Sequence, residues 1–300
     1  MSQEAPEYLG TCQIQTISAE LLTKYFPGIE RLGILRLDLP DPISGGNKSF
    51  KLKYNFEWLL EQDKTELVTF GGAYSNHIAA TAIAGKRYGV ETVGIIRGDE
   101  LNSDSNALLR YASKCGMRLH FVAREEYSRR NDPDYLKELS ARFGISYILP
   151  EGGSNALAVR GCMEILTDKC DEYNEIVCPV GTGATAAGII VSAKHHQHVR
   201  AMAVLEGHDY LLKNIEEHLL GHSALGSWEL DCNYTLGGYA RETNDLLDFM
   251  LAMKSEINLP LDPIYSGKVF FGIHSLAHKG NFESSKVLFV HTGGYGFLHQ

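Results

Sequence analysis

The sequence predicts an α/β protein built on mostly parallel sheet with helices on both faces, and three observations carry that expectation. Short apolar runs alternate with helix-length segments through the middle of the chain, the rhythm of a parallel sheet. Glycines stand where strands give way to helices and where helices end. The composition supplies a core: 44% of the 300 residues are hydrophobic, 22% are charged, and 30 are glycine, above the usual ~7%.

In chain order, Glu66–Phe70 (ELVTF) reads as a buried strand, Gly71-Gly72 as a turn, and Asn76–Tyr88 as a helix closed by Gly89. Thr92–Ile96 is the next strand, Ser105–Lys114 a helix ended by Cys115-Gly116, and Arg118–Val122 a third strand. A helix over Pro133–Phe143 stops at Gly144 and strand Ile145–Leu149 follows. The rhythm continues with helix Ala156–Thr167, strand Glu175–Val180, helix Ala184–Lys194 and strand Arg200–Glu206. Ligands of such sheets bind beyond the carboxyl ends of the strands, so the strand-to-helix turns are where chemistry is sought.

Several function classes are excluded early. With 28 Lys and Arg against 37 Asp and Glu, the net charge is −9. An acidic chain lacks the electrostatic footprint for nucleic acid or anionic lipid. The six cysteines, at 12, 115, 162, 170, 178 and 232, form no C-x-x-C pair, which argues against a structural zinc site and for free thiols in a reducing cytoplasm. The first ten residues show no signal-peptide pattern. The longest weakly polar run, 176–193, is broken by Pro179 and three glycines, so it reads as strand, turn and helix rather than a membrane span. No metal site is expected: His195, His196 and His198 end a helix, and His274 and His278 share a helix face without the glutamate of a zinc-protease motif.

Four segments carry chemistry. In Ser44-Gly45-Gly46-Asn47-Lys48, glycines admit a ligand and Lys48 can reach it. A lysine nucleophile needs a lowered pKa, and Lys51 and Lys53 are candidates for the second cation that lowers it. The same residues also read as a surface turn before an amphipathic helix, 50–60. In Gly71-Gly72-Ala73-Tyr74-Ser75-Asn76-His77, backbone amides and a helix dipole offer an anion site flanked by Ser75 and Asn76. An ordinary N-cap explains that pattern equally well. Gly181-Thr182-Gly183-Ala184-Thr185 follows a strand and opens a helix, as a phosphate cradle does. It also matches G-x-G-x-x-A of dinucleotide folds, with Glu206 placed for a ribose hydroxyl. Finally, Asp262-Pro263-Ile264-Tyr265-Ser266-Gly267-Lys268 and His291-Thr292-Gly293-Gly294 set a ring beside hydroxyls in turns.

Together these segments resemble the pyridoxal-phosphate enzymes of fold type II, in particular the 1-aminocyclopropane-1-carboxylate deaminase / D-cysteine desulfhydrase family. The resemblance runs from about Asp38 to Thr292 and rests on ISGGNKSFKLKYN, TFGGAYSNH, PEGGSNALAVRG, VGTGATAAG, DPIYSGK and HTGG in family order. It implies that Lys48 bonds the cofactor aldehyde, that Lys51 lies near the phosphate, and that backbone amides of Gly181, Thr182, Gly183, Ala184 and Thr185 hold the phosphate. Asn76 would meet the ring hydroxyl, and Ser75 the substrate carboxylate and reacting carbon. Tyr265 would stack near the ring, Tyr239 would be a second active-site tyrosine, and Ser266 or Thr292 would face the ring nitrogen. The family fold implies a larger cofactor domain of residues 1–50 plus 161–300, a smaller domain of residues 51–160, and a homodimer.

One departure matters. True deaminases of this family place a glutamate after the tyrosine matched by Tyr265; here it is Ser266. A carboxylate keeps the pyridine nitrogen protonated and the ring a strong electron sink. Aminocyclopropane carboxylate has no α-hydrogen and leans harder on that sink. The resemblance therefore points to β-elimination from a small amino acid, D-cysteine foremost, over ring opening. Two other classes remain to be separated from it: an NAD-dependent Rossmann oxidoreductase around Gly181, Gly183 and Glu206, and a binding protein that keeps the cofactor without turnover.

Overall fold

The computed structural model describes residues 12–40, 45–238 and 241–294. In chain order its elements are β1 (Gln13–Thr16), α1 (Ala19–Tyr25), β2 (Arg31–Arg36), α2 (Asn47–Glu61), β3 (Glu66–Gly72), α3 (Asn76–Tyr88) and β4 (Glu91–Arg97). There follow α4 (Ala107–Lys114), β5 (Arg118–Val122), α5 (Arg124–Ser128), α6 (Pro133–Phe143), β6 (Ile148–Leu149) and α7 (Ala156–Cys162). The chain closes with β7 (Glu175–Val180), α8 (Ala184–Ser192), β8 (His198–Ala203), α9 (His208–Leu219), β9 (Ser227–Asp231), α10 (Asn244–Ile257), α11 (Ser266–His278) and β10 (Lys286–His291).

These elements form two compact units, one from Lys48 to Gly161, the other from the segment ending at Asn47 together with the chain from Cys162 onward. The first holds a four-stranded sheet in the order β5-β4-β3-β6, parallel throughout. Alternation along β3 explains why helices cover both faces of that sheet. Leu67 joins Leu52, Phe56, Ala80 and Ala84 of α2 and α3. Its neighbours Val68 and Phe70 join Tyr127 of α5 and Tyr135 and Leu139 of α6.

The second unit holds six strands in the order β1-β2-β10-β7-β8-β9, in which only the β1–β2 pair is antiparallel. One face of this sheet, through Leu32, Ile34, Val177, Val287 and Phe289, packs on Phe26, the C-cap of α1, and on Phe249, Phe270 and Ile273 of α10 and α11. Burial of side chains this size stabilises by about 1.5–3 kcal/mol each.

The predicted alternation is present with altered ends. Strand 145–149 shrinks to Ile148–Leu149, the two residues that pair with Val68 and Thr69 of β3. Helix 156–167 ends at Cys162, whose backbone lies against Gly188 of α8 so closely that any side chain there would overlap it. Strand 200–206 occupies 198–203 instead, leaving Glu206 exposed beyond it. Among the described residues no helix is long and apolar enough to cross a membrane.

Candidate active site

In the unit that includes Asn47, the fold draws four of the sequence-predicted segments together. Gly46 has φ +72°, and a Cβ there would overlap the Thr292 carbonyl. That close approach needs glycine, and it lets the Asn47 amide donate to Thr292 O at 3.2 Å. The Asn47 side chain then reaches the other way, Nδ2 donating to Thr185 Oγ1 at 2.9 Å. Lys48 is the next residue of the chain. Tyr265 borders the same turn: a Cβ on Gly181 would lie 3.3 Å from its Cε1.

The turn at 181–185 has the chemistry of a phosphate cradle. β7 ends at Val180, and α8 opens at Ala184 with Gly183 as N-cap at φ +91° and no side-chain cap. Helix N-terminal amides that no side chain satisfies are donors for an anion, and the dipole favours its charge. Thr185 adds a buried hydroxyl held in place by Asn47. Amides and hydroxyls without an acidic side chain among residues 181–185 suit a phosphate monoester.

At the next segment the structure places Ser266 differently from a group standing open to a ligand. Asp262, 1% exposed, accepts from the amides of Ile264 (3.0 Å), Tyr265 (2.6 Å) and Ser266 (2.9 Å). The Ser266 hydroxyl donates to Asp262 Oδ2 at 2.5 Å and accepts from the Asp262 amide at 2.9 Å. Ser266 is itself 0% exposed, whereas Thr292 is 7% exposed. The Ser266 proton is thus spent on a buried carboxylate. Behind Thr292, His291 donates from Nε2 to Pro260 O and its Nδ1 accepts from the Gly293 amide, fixing the turn after β10.

In the unit from Lys48 onward, Lys48 is half-buried in the first turn of α2. Lys51 is 2% exposed, and its Nζ donates to Gly152 O (2.5 Å) and Ser154 Oγ (3.0 Å). One turn on, Asn55 donates to Lys51 O and, with Tyr147 and Asn155, closes a buried network. These bonds fasten α2 to the PEGGSN segment, which gives that stretch a structural task. Lys53 lies over the Tyr54 ring.

Ser75 is the N-cap of α3 yet makes no side-chain cap bond. The ordinary-cap reading calls for such a bond, so its absence weakens that reading. Asn76 starts the helix and is half-buried. His77 lies beneath, wholly buried. The Thr69 hydroxyl spends its proton on Leu149 O, so His77 Nε2 carries the hydrogen that bonds Thr69 Oγ1 at 2.7 Å. Burial, and then the charges of Lys51 and Lys48, push the His77 pKa well below its usual value, so the ring stays neutral.

Tyr239 lies outside the described residues. Asn47, His77, Asp262 and Lys268 contribute to these segments without having been singled out. Asp262 has a local signal, a carboxylate four residues before a helix-opening serine. The others act through partners far along the chain.

Comparisons with known proteins identify the family. A family model described as pyridoxal-phosphate dependent enzyme matches residues 30–293. A Thermotoga maritima protein named provisionally as a 1-aminocyclopropane-1-carboxylate deaminase is 31% identical over 89% of this chain and 90% of its own. The Arabidopsis thaliana mitochondrial bifunctional D-cysteine desulfhydrase/1-aminocyclopropane-1-carboxylate deaminase is 30% identical over 89% of this chain and 73% of its own. A crystal structure of an ACC deaminase homologue superposes with a TM-score of 0.83 at 25% identity, covering 97% of this chain and 91% of that one. The chain belongs to the pyridoxal-phosphate-dependent enzymes of fold type II, in the 1-aminocyclopropane-1-carboxylate deaminase / D-cysteine desulfhydrase family.

Proposed function

We propose that this family member is a C–S lyase that converts D-cysteine and water to pyruvate, ammonia and hydrogen sulfide. The carrying observation is the residue after Tyr265: a serine whose hydroxyl proton is given to buried Asp262. No carboxylate side chain occupies that position to hold the pyridine nitrogen protonated.

Pyridoxal phosphate, when bound, supplies an electron sink for charge developing at the substrate α-carbon. The phosphate fits the 181–185 turn, whose amides and Thr185 hydroxyl would hold it. Lys48 would hold the cofactor aldehyde until the substrate amine takes its place, which would free its Nζ to accept the α-proton as general base. The substrate carboxylate is bound by the uncapped start of α3 and the Ser75 hydroxyl. The Tyr265 hydroxyl gives a proton to the departing thiolate sulfur, with Tyr239 as a second tyrosine of the site. Loss of the α-proton and the thiolate leaves an enamine, which water hydrolyses to pyruvate and ammonia. We take the working form to be a homodimer, a point light scattering on the purified protein decides.

The test is a substrate panel of D- and L-cysteine, D- and L-serine, chloroalanine and aminocyclopropane carboxylate, scored for keto acid and sulfide. The expected result is pyruvate and sulfide in equal amounts from D-cysteine, with the largest kcat/KM of the set. Keto acid from aminocyclopropane carboxylate at a higher kcat/KM than D-cysteine overturns the reading.

A further inference from the structure

Lys268 is wholly buried, at 0% exposure, in the first turn of α11. A buried ammonium is costly unless its donors are used. Its Nζ donates to Thr235 O at 2.7 Å and Gly238 O at 2.5 Å, carbonyls at the two ends of one turn. That turn is unusual: Leu236, Gly237 and Gly238 run consecutively at φ 51°, 86° and 96°. A leucine in the left-handed region is strained and persists only where its surroundings hold it. The turn's own bonds are sparse, from the Gly238 amide to Thr235 O (3.0 Å) and from the Arg241 amide to Gly238 O (3.3 Å). The cation is what holds both carbonyls in place.

We propose that Lys268 is a positioning residue, the clamp that fixes the Thr235–Gly238 turn, which precedes Tyr239 in the sequence. The proposal rests on the reading above in one respect, that Tyr239 serves the reaction. Lys268 comes three residues after Tyr265 and bonds the residue before Tyr239. Lys268 thereby ties the 235–238 turn to the helix that opens after Tyr265. The acidic groups that face the ammonium, Asp262, Glu242 and Glu206, favour its charge, while burial opposes it and prevails, lowering the pKa from the usual lysine value. Asp262 lies at the N-terminus of the same helix, and the Glu206 side chain abuts Gly238.

The test is Lys268→Met in the holoenzyme, read by amide hydrogen exchange and by kinetics with D-cysteine. Exchange across 235–241 is expected to rise at least about tenfold, and kcat to fall at least about tenfold with KM within about threefold. Phe270→Leu, a core change in the same helix, is the control for general destabilisation. It is expected to lower the melting temperature while leaving exchange at 235–241 and kcat within about twofold. Adding Leu236→Gly to Lys268→Met is expected to recover part of the loss by relieving the left-handed leucine. Should Lys268→Met not accumulate as folded protein, Lys268→Leu, which likewise removes the donor, is read in the same way. Unchanged exchange at 235–241 in the folded variant, or an equal kcat loss in Phe270→Leu, overturns the clamp. If exchange rises but the unsubstituted enzyme releases no sulfide from D-cysteine, the clamp stands and the substrate reading fails.

Discussion

Two turns of the molecule look alike in sequence and work in opposite ways. After β3, glycines lead into α3 through Ser75 and Asn76; after β7, glycines lead into α8 through Gly183 and Ala184. Neither helix is capped by a side chain at its N-terminus. Elsewhere Ser18, Asn106, Asp132 and Thr243 all cap their helices with their own oxygens. The turn at 75 offers side chains, with a hydroxyl and an amide at the helix mouth. The turn at 183 offers backbone, with glycine geometry and a hydroxyl steered by Asn47. We assign the first to the substrate carboxylate and the second to a constant phosphate.

The largest expected effect tests the premise common to both assignments. Lys48→Ala should lose the visible cofactor band and about 10⁴-fold in turnover together, since the proposed function makes one amine both the anchor and the base. Absorbance and sulfide release measure the two. A variant that loses the band yet turns over normally sinks the assignment.

The next separates the turns. Gly183→Ala places a side chain at φ +91°, 3.3 Å from the Ile215 amide nitrogen. It should weaken cofactor affinity about 10–100-fold, read by fluorescence titration, with KM for D-cysteine nearly unchanged at saturating cofactor. Ser75→Ala should do the reverse, raising KM about tenfold with cofactor affinity intact, as loss of one charge-assisted hydrogen bond of about 1.5 kcal/mol implies.

How much of this was legible in the sequence follows from where each partner lies. The strands, the glycine turns and the lysine segment announce themselves through periodicity and short motifs. β6 does not, because an edge strand two residues long has too little pattern to mark its start. Asn47 is invisible for another reason: its partner Thr185 is 138 residues away. Lys268 sits in the DPIYSGK motif, but its acceptors are carbonyls, and every residue has one. His77 follows the Ser75-Asn76 pair, and the buried Thr69 and Thr81 hydroxyls on its two ring nitrogens mark it as a structural histidine rather than a chemical one. The Ser266 hydroxyl was legible as a hydroxyl; that its proton is committed to Asp262 was not.

The buried histidine gives a pH-dependent prediction. His77 is neutral in the folded chain because burial depresses its pKa, whereas the unfolded chain returns it to about 6.5. Below that value the unfolded state binds a proton that the folded state refuses. Stability should therefore be constant from this source above pH 6.5 and fall on acidification, by up to about 1.4 kcal/mol per pH unit. Urea unfolding at pH 7.5, 6.5 and 5.5 measures it. His77→Gln, which keeps an amide donor toward Thr69, should flatten the slope by that amount, and an unchanged slope would assign the acid sensitivity elsewhere.

The smallest effect is the sharpest comparison between an α3 cap that does not cap and an α4 cap that does. Asn106 accepts from the Leu109 amide at 2.9 Å and donates to Ala73 O at 2.9 Å. Ser75 makes no such cap bond. Removing a working cap costs about 1 kcal/mol, so Asn106→Ala should destabilise by at least that much. Ser75→Ala should stay within about 0.3 kcal/mol of the parent while still raising KM. Residues with the same propensity for a helix start would then divide cleanly, one paying into stability and the other into substrate binding. Equal destabilisation by the two changes would return Ser75 to the role of an ordinary cap, and the anion site at α3 would lose its principal side chain.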